Sequence, residues 1–152
     1  MWPDEAGWRE MMSVIVTDTG FGPDDWSGSF VDYADDGAEA GPGAALDVPS
    51  DADAAALARR AQAAGMVRID FPSFSDGRGF SLAAALRRAG YKGRLRAHGH
   101  VIADQYAMAR RIGFDEVEIP DELAQRQDEA QWLRRADWRA HDYQARLRGA
   151  AR

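Results

Sequence analysis

The spacing of apolar positions changes several times along the chain, and each change marks an element. Ser13-Val14-Ile15-Val16-Thr17 is β-branched and closes on Asp18-Thr19-Gly20, a strand running into a turn. Residues 29–33 read as a second short strand and residues 45–48 as a third. Between the first two lies the turn-rich loop Gly20-Phe21-Gly22-Pro23-Asp24-Asp25. Asp35-Asp36-Gly37 and Gly41-Pro42-Gly43 suit an exposed connection before the third. From residue 50 the pattern sharpens. Ser50 or Asp51 is expected to cap a helix over 52–64, which Gly65 ends. A strand follows over 66–71, stopped by Pro72, and then a helix over 80–89, closed by Gly90. A strand over 94–98, a helix over 101–112 ended by Gly113, and a strand over 116–119 complete the series. This alternation, with short connections, predicts right-handed βαβ units on a parallel sheet.

Residues 121–148 read as one amphipathic helix. Leu133, Ala136, Ala140, Tyr143 and Leu147 recur at spacings of three and four and share a face. Trp132 and Trp138 are about 600° apart in helix rotation and cannot share one. The expected class is therefore α/β: a small parallel sheet from consecutive βα units over about 66–119, less regular N-terminal strands and a C-terminal helix. A chain of 152 residues suits one domain. Its parts are an acidic, loop-rich stretch (1–49), a βα core (50–120) and the C-terminal helix (121–152).

Composition narrows the chemistry. The chain has no cysteine. It has no thiol nucleophile, no redox thiol pair and no thiolate ligands for an iron–sulfur cluster. No run approaches the roughly 20 apolar residues of a membrane span. The acidic start Met1-Trp2-Pro3-Asp4-Glu5 is unlike a secretory signal, so a cytoplasmic location is expected. Charge is uneven. Residues 1–56 hold 13 Asp/Glu and one basic residue, Arg9, a net of −12; residues 57–152 hold 18 Lys/Arg and 12 Asp/Glu, a net of +6. Two readings fit this: an acidic solvated region over a mixed core, or a bipolar surface that orients a protein partner. An overall charge of −6 opposes nucleic-acid binding.

In parallel sheets ligands bind where strands end and loops lead into helices. The loop Pro72-Ser73-Phe74-Ser75-Asp76-Gly77-Arg78-Gly79, running into Phe80-Ser81, combines glycines, a helix start and a forked cation. These features suit a small anion such as carboxylate, sulfite, sulfate or phosphate. The alternative is structural: Asp76 closes the turn and Arg78 pairs with Asp76 or Asp104. A second loop holds His98-Gly99-His100 ahead of Asp104 and Gln105. Either histidine suits acid–base work, or both are ordinary loop residues. The spacing matches no metal-ligand pattern, so no metal is expected. A third loop is Pro120-Asp121-Glu122. The candidate ligand-binding residues are Asp76, Gly77, Arg78, Ser81, Arg96, His98, His100, Asp104 and Gln105.

The stretch Asp70-Phe71-Pro72-Ser73-Phe74-Ser75-Asp76-Gly77-Arg78-Gly79-Phe80-Ser81-Leu82 carries a resemblance. It continues through Leu86-Arg87, Tyr91–Val101, Asp104-Gln105 and Arg111-Ile112-Gly113-Phe114-Asp115. Over about 66–119 the chain resembles a bacterial family of unknown function whose members are labelled oxidoreductases of sulfite reduction. The genes of that family tend to sit beside those for assimilatory sulfite reductase and phosphoadenosine-phosphosulfate reductase. The family pattern falls on Asp76, Gly77, Arg78, Ser81, Arg96, Gly99, Asp104, Gln105 and Gly113. His100 departs from it, since the family usually carries an acidic residue there. The resemblance implies a place in sulfate assimilation. The chain offers no dinucleotide fingerprint and no haem or flavin motif, so no cofactor is indicated. The expectation is a non-redox accessory protein that binds sulfite reductase, its electron donor or a small anion. The alternatives are a small α/β enzyme acting on an anionic metabolite, or an oxidoreductase with a bound organic cofactor.

Overall fold

A computed structural model describes residues 13–35 and 37–139. Seven strands form one sheet: β1 Ser13–Thr17, β2 Gly20–Gly22, β3 Ser29–Asp32, β4 Ala44–Val48, β5 Met66–Phe71, β6 Arg94–Gly99 and β7 Glu116–Pro120. Their spatial order is β2-β1-β7-β6-β5-β4-β3. Strands β3 to β7 are parallel, with Val67 opposite Leu95 and Ala97 opposite Val117. Strand β1 runs antiparallel to β7, and β2 antiparallel to β1. The helices are α1 Ala54–Ala61, α2 Arg78–Arg88, α3 Tyr106–Ile112, α4 Asp121–Arg126 and α5 Glu129–Leu133. The expected parallel neighbours 66–71, 94–98 and 116–119 are found.

Strands β4 to β7 are neighbours in sequence order, so successive right-handed crossovers carry α1, α2 and α3 to the same face. That face holds the apolar half of each strand: Leu46 and Val48, Val67 with Ile69 and Phe71, Leu95 and Ala97, Val117 and Ile119. They pack on Leu57, Ala61, Ala83, Leu86 and Ala109. The rings of Phe71, Phe80 and Phe114 meet edge to face at 4.9–6.3 Å. Gly79 permits this. A Cβ there would lie 2.5 Å from the Phe71 ring. Arg87 holds the lower edge of the sheet, donating to the carbonyls of Tyr91, Gly93 and Gly113 at 2.7–3.0 Å.

Among the described residues the opposite face carries no helix. The connection from β2 to β3 crosses it, because those two strands are the opposite edges of the sheet. From Gly22 to Ser29 there are seven Cα–Cα steps, which reach about 25 Å at most. A flat sheet of seven strands would separate its edges by about 29 Å. The sheet is therefore curled, with this face concave. Asp24 and Asp25 pin the connection to Arg96 and Arg94 of β6.

The structure corrects several expectations. Gly20–Gly22 is a strand, because Asp18-Thr19 closes a two-residue hairpin that pairs Thr17 with Gly20. The cap of α1 is Asp53, whose side chain accepts from Ala56 N at 2.9 Å; Ser50 and Asp51 do not cap it. The third core helix begins late, with a 3-10 turn at Ala103–Gln105 before α3. The single C-terminal helix is divided. Gln127 leaves helical geometry, and Asp128 caps a new helix by accepting from Gln131 N. On the expected apolar face, Leu133 is exposed, whereas Trp132 is buried. Ala140, Tyr143 and Leu147 lie outside the described residues.

Candidate functional site

The concave face is lined by charge. Arg68 comes from β5, Arg94 and Arg96 from β6, and Glu116 and Glu118 from β7. The cause is strict alternation: apolar residues at every second position take the helical face and leave the charges on the other. Arg96 is fully buried and donates to Glu116 at 2.6 Å, to Glu118 at 2.9 Å and to Asp24 at 2.9 and 3.0 Å. Arg68 donates to Asp47 at 2.9 Å and to Glu118 at 3.1 Å, and lies 4.0 Å from the Phe30 ring centre. Arg94 donates to Glu116 at 2.7 and 2.8 Å. Burial alone would lower the pKa of Arg96, but hydrogen bonds to Asp24 and the charges of Glu116 and Asp24 outweigh it and raise the value. Burial likewise pushes the Asp24 pKa up, and the bonds from Arg96 bring it below its ordinary value. Among the described residues no buried side-chain polar atom lacks a partner.

At the carboxyl ends of the strands this face opens into a cleft of about 330 Å³, lined by Asp32, Asp47, Asp70 and His98 among others. His98 Nδ1 lies 3.6 Å from Asp70, and its Nε2 lies 3.5 Å from Glu118. A carboxylate surround of this kind disfavours an anion. Gly99, next in the chain, has φ +114°, and a Cβ there would lie 2.7 Å from the Phe71 carbonyl. The strand ends at this turn, and His100 is exposed beyond it.

On the helical side of the same edge lies the loop from Pro72 to Gly77. Arg78 donates to both oxygens of Asp76, at 3.0 and 2.8 Å, and to Ser50 Oγ at 3.1 Å. Those side-chain bonds and the Arg78 backbone N–H hold Asp76 well below the usual carboxylate range. The fork of Arg78 is thus occupied from within the chain, although the side chain is 60% exposed. Phe74 at the loop tip is 58% exposed. Its carbonyl accepts from Gln105 Nε2 at 2.8 Å.

The candidate residues therefore form separate groups. Asp76, Gly77 and Arg78 stand together at the loop, and Ser81 is exposed one turn into α2. Arg96 and His98 belong to the concave face. Asp104 does not join Arg78, because it pairs with Arg135 from the turn after α5. Gln105 accepts from Ile102 N and ties the second loop to the first. Among the described residues no cluster of His, Asp and Glu is arranged to hold a metal ion. Sequence reasoning missed Arg68, Glu116, Glu118 and Asp24. The period-two charge pattern of Arg68-Ile69-Asp70, Arg94-Leu95-Arg96 and Glu116-Val117-Glu118 was the available signal, since a sheet covered on both faces would have apolar runs there. No described helix is long and apolar enough to cross a membrane.

No curated protein and no solved structure matches the chain. A family model does, over residues 45–151, from the start of β4 onward. The match takes in the motif loop, Arg96, His98 and the Asp104–Arg135 pair, and leaves out the crossing connection with Asp24. The chain belongs to the family described as bacterial protein of unknown function, DUF934.

Proposed function

We propose that this chain is a non-redox accessory protein of assimilatory sulfite reduction, acting by docking on sulfite reductase or its electron donor. One observation carries the docking part. The FPSFSDGRGF stretch divides into residues buried in the fold and residues left at its surface. Phe71, Gly79 and Phe80 build the aromatic core, while Phe74 stands exposed at the loop tip, and Arg78, though bonded to Asp76 and Ser50, keeps most of its side chain in solvent. Exposed aromatic and arginine side chains are the residue types that anchor protein interfaces. The pathway part rests on the family resemblance. The chain supplies no cysteine with which to carry electrons, which favours an accessory role.

The test is complementation of a deletion strain. Phe74→Ala combined with Arg78→Ala should fail to support growth on sulfate, yet grow normally on cysteine, with the protein folded and abundant. Full growth on sulfate with that variant would remove the loop from the functional surface. A small α/β enzyme is the competing reading, and His98 held between two carboxylates at the cleft is what favours it. It predicts that His98→Gln abolishes growth on sulfate while reductase binding persists.

A further inference from the structure

Both ends of the Gln105 amide are engaged within the chain. Its Oε1 accepts from Ile102 N at 3.0 Å and closes the 3-10 turn, and its Nε2 donates to the Phe74 carbonyl at 2.8 Å. The second bond reaches from the loop after β6 to the tip of the loop after β5. Other bonds at that tip are local: Ser75 N donates to Ser73 Oγ at 3.2 Å, and Asp76 N donates to the Ser73 carbonyl at 3.0 Å. The Phe74 ring is exposed, so it does not anchor the tip by packing in the core.

The turn that carries Gln105 is itself braced. Ala103 N donates to Gln127 Oε1 at 2.6 Å, and Asp104 pairs with Arg135, so the chain on both sides of α5 holds it. Ala103 and Tyr106, which flank Asp104 and Gln105, are buried. The task also fits glutamine in particular. One end must accept from a backbone N–H and the other must donate to a backbone carbonyl. A carboxylate in its place would set an acceptor against an acceptor at Phe74.

We propose that Gln105 is a positioning residue of the docking loop: it holds Phe74 in the arrangement that a protein partner receives. The inference rests on the docking reading above and assigns the residue that orders that surface before binding. A loop ordered in advance gives up less conformational freedom when a partner immobilises it, so the complex is tighter without any contact from Gln105 itself. A bond that served the fold alone would act on global stability and leave partner affinity unchanged.

The test uses the full-length chain and two substitutions. Gln105→Glu keeps the acceptor for Ile102 N and removes the donor to Phe74. Gln105→Met removes both and adds no charge. Amide order parameters from nuclear relaxation, read at Phe74 and Ser75, should be about 0.85 in the parent chain and fall below about 0.6 in both variants. The melting curves should stay close to the parent's. Affinity for sulfite reductase or its electron donor, whichever the parent chain binds, should weaken about two- to tenfold, the worth of one hydrogen bond. Unchanged order parameters in both variants would overturn the proposal. So would weakened affinity with the loop still ordered, which would make Gln105 a contact, and so would a loosened loop with unchanged affinity. Order lost throughout the chain, with a large fall in melting temperature, would make the bond structural and overturn it too. The docking reading survives each of these results if Phe74→Ala combined with Arg78→Ala abolishes the complex. Absence of any complex with the parent chain defeats the docking reading, and this inference with it.

Discussion

Two arginines of the family pattern, Arg78 and Arg96, have opposite environments. Arg96 is fully buried and satisfies Glu116, Glu118 and Asp24 together. Arg78 is mostly in water and pairs with a carboxylate two residues away. Removing one partner from a buried ion group leaves charges without compensation, at a cost of about 3–5 kcal/mol. Arg96→Met should therefore lower unfolding stability by about that amount in urea titration. Arg78→Ala should leave the urea midpoint nearly unchanged, because water replaces the lost contacts. Equal losses in the two variants would contradict the assignment of Arg96 as structural and Arg78 as available to a partner. Residue types alone could not separate them, since both arginines sit in the same pattern. Arg87 makes the same point: its donors close three carbonyls of the lower turns, a task visible only once the chain is folded.

At the scale of elements, the sequence reading was most successful where period and punctuation agreed. Strands β5, β6 and β7 fall within a residue of their expected ends. Long-range effects account for the misses. Strand β2 is three residues long and exists through pairing with β1. Ser50 is drawn from its capping role by Asp76 and Arg78. The amphipathic pattern of 121–148 did not foresee the break at Gln127, whose carbonyl accepts from the buried Trp132 indole at 3.1 Å. The connection that crosses the concave face is the element most dependent on charge. Asp24 and Asp25 both have pKa values below the ordinary 3.8; burial of Asp24 is outweighed by Arg96, and the bond from Arg94 dominates at Asp25. A depressed carboxylate stabilises the fold above its ordinary pKa, and the contribution is lost as pH falls through the folded value. The melting temperature should thus fall progressively below about pH 5. Asp24→Asn should be less stable at pH 7 and should lose less on acidification. An unaltered acid profile in Asp24→Asn would show that the tether to Arg96 contributes nothing to stability.

The whole molecule is two-sided. Successive right-handed crossovers place the core helices on one face, and the curled sheet fills the other with a closed charge network under a crossing strap. The α/β class and the parallel core were legible because crossover handedness and strand spacing are general. The curl was not, since it follows from joining two edge strands by a connection too short for a flat sheet. The candidate site was legible in part. Asp76 and Arg78 stand together in the loop as the sequence suggested, but His98 lies in an acidic cleft and Asp104 pairs with Arg135. The motif loop leaves the Phe74 side chain and most of Arg78 exposed, and the account's central claim is that this loop binds a protein of sulfite reduction. Sedimentation velocity on the purified chain, mixed at about 10 μM with sulfite reductase and separately with its electron donor, tests that most directly. A complex with one of them should form at low salt, dissociate as salt is raised, and be lost when Phe74→Ala is combined with Arg78→Ala. Independent sedimentation of the chain from both proteins at low salt would contradict it.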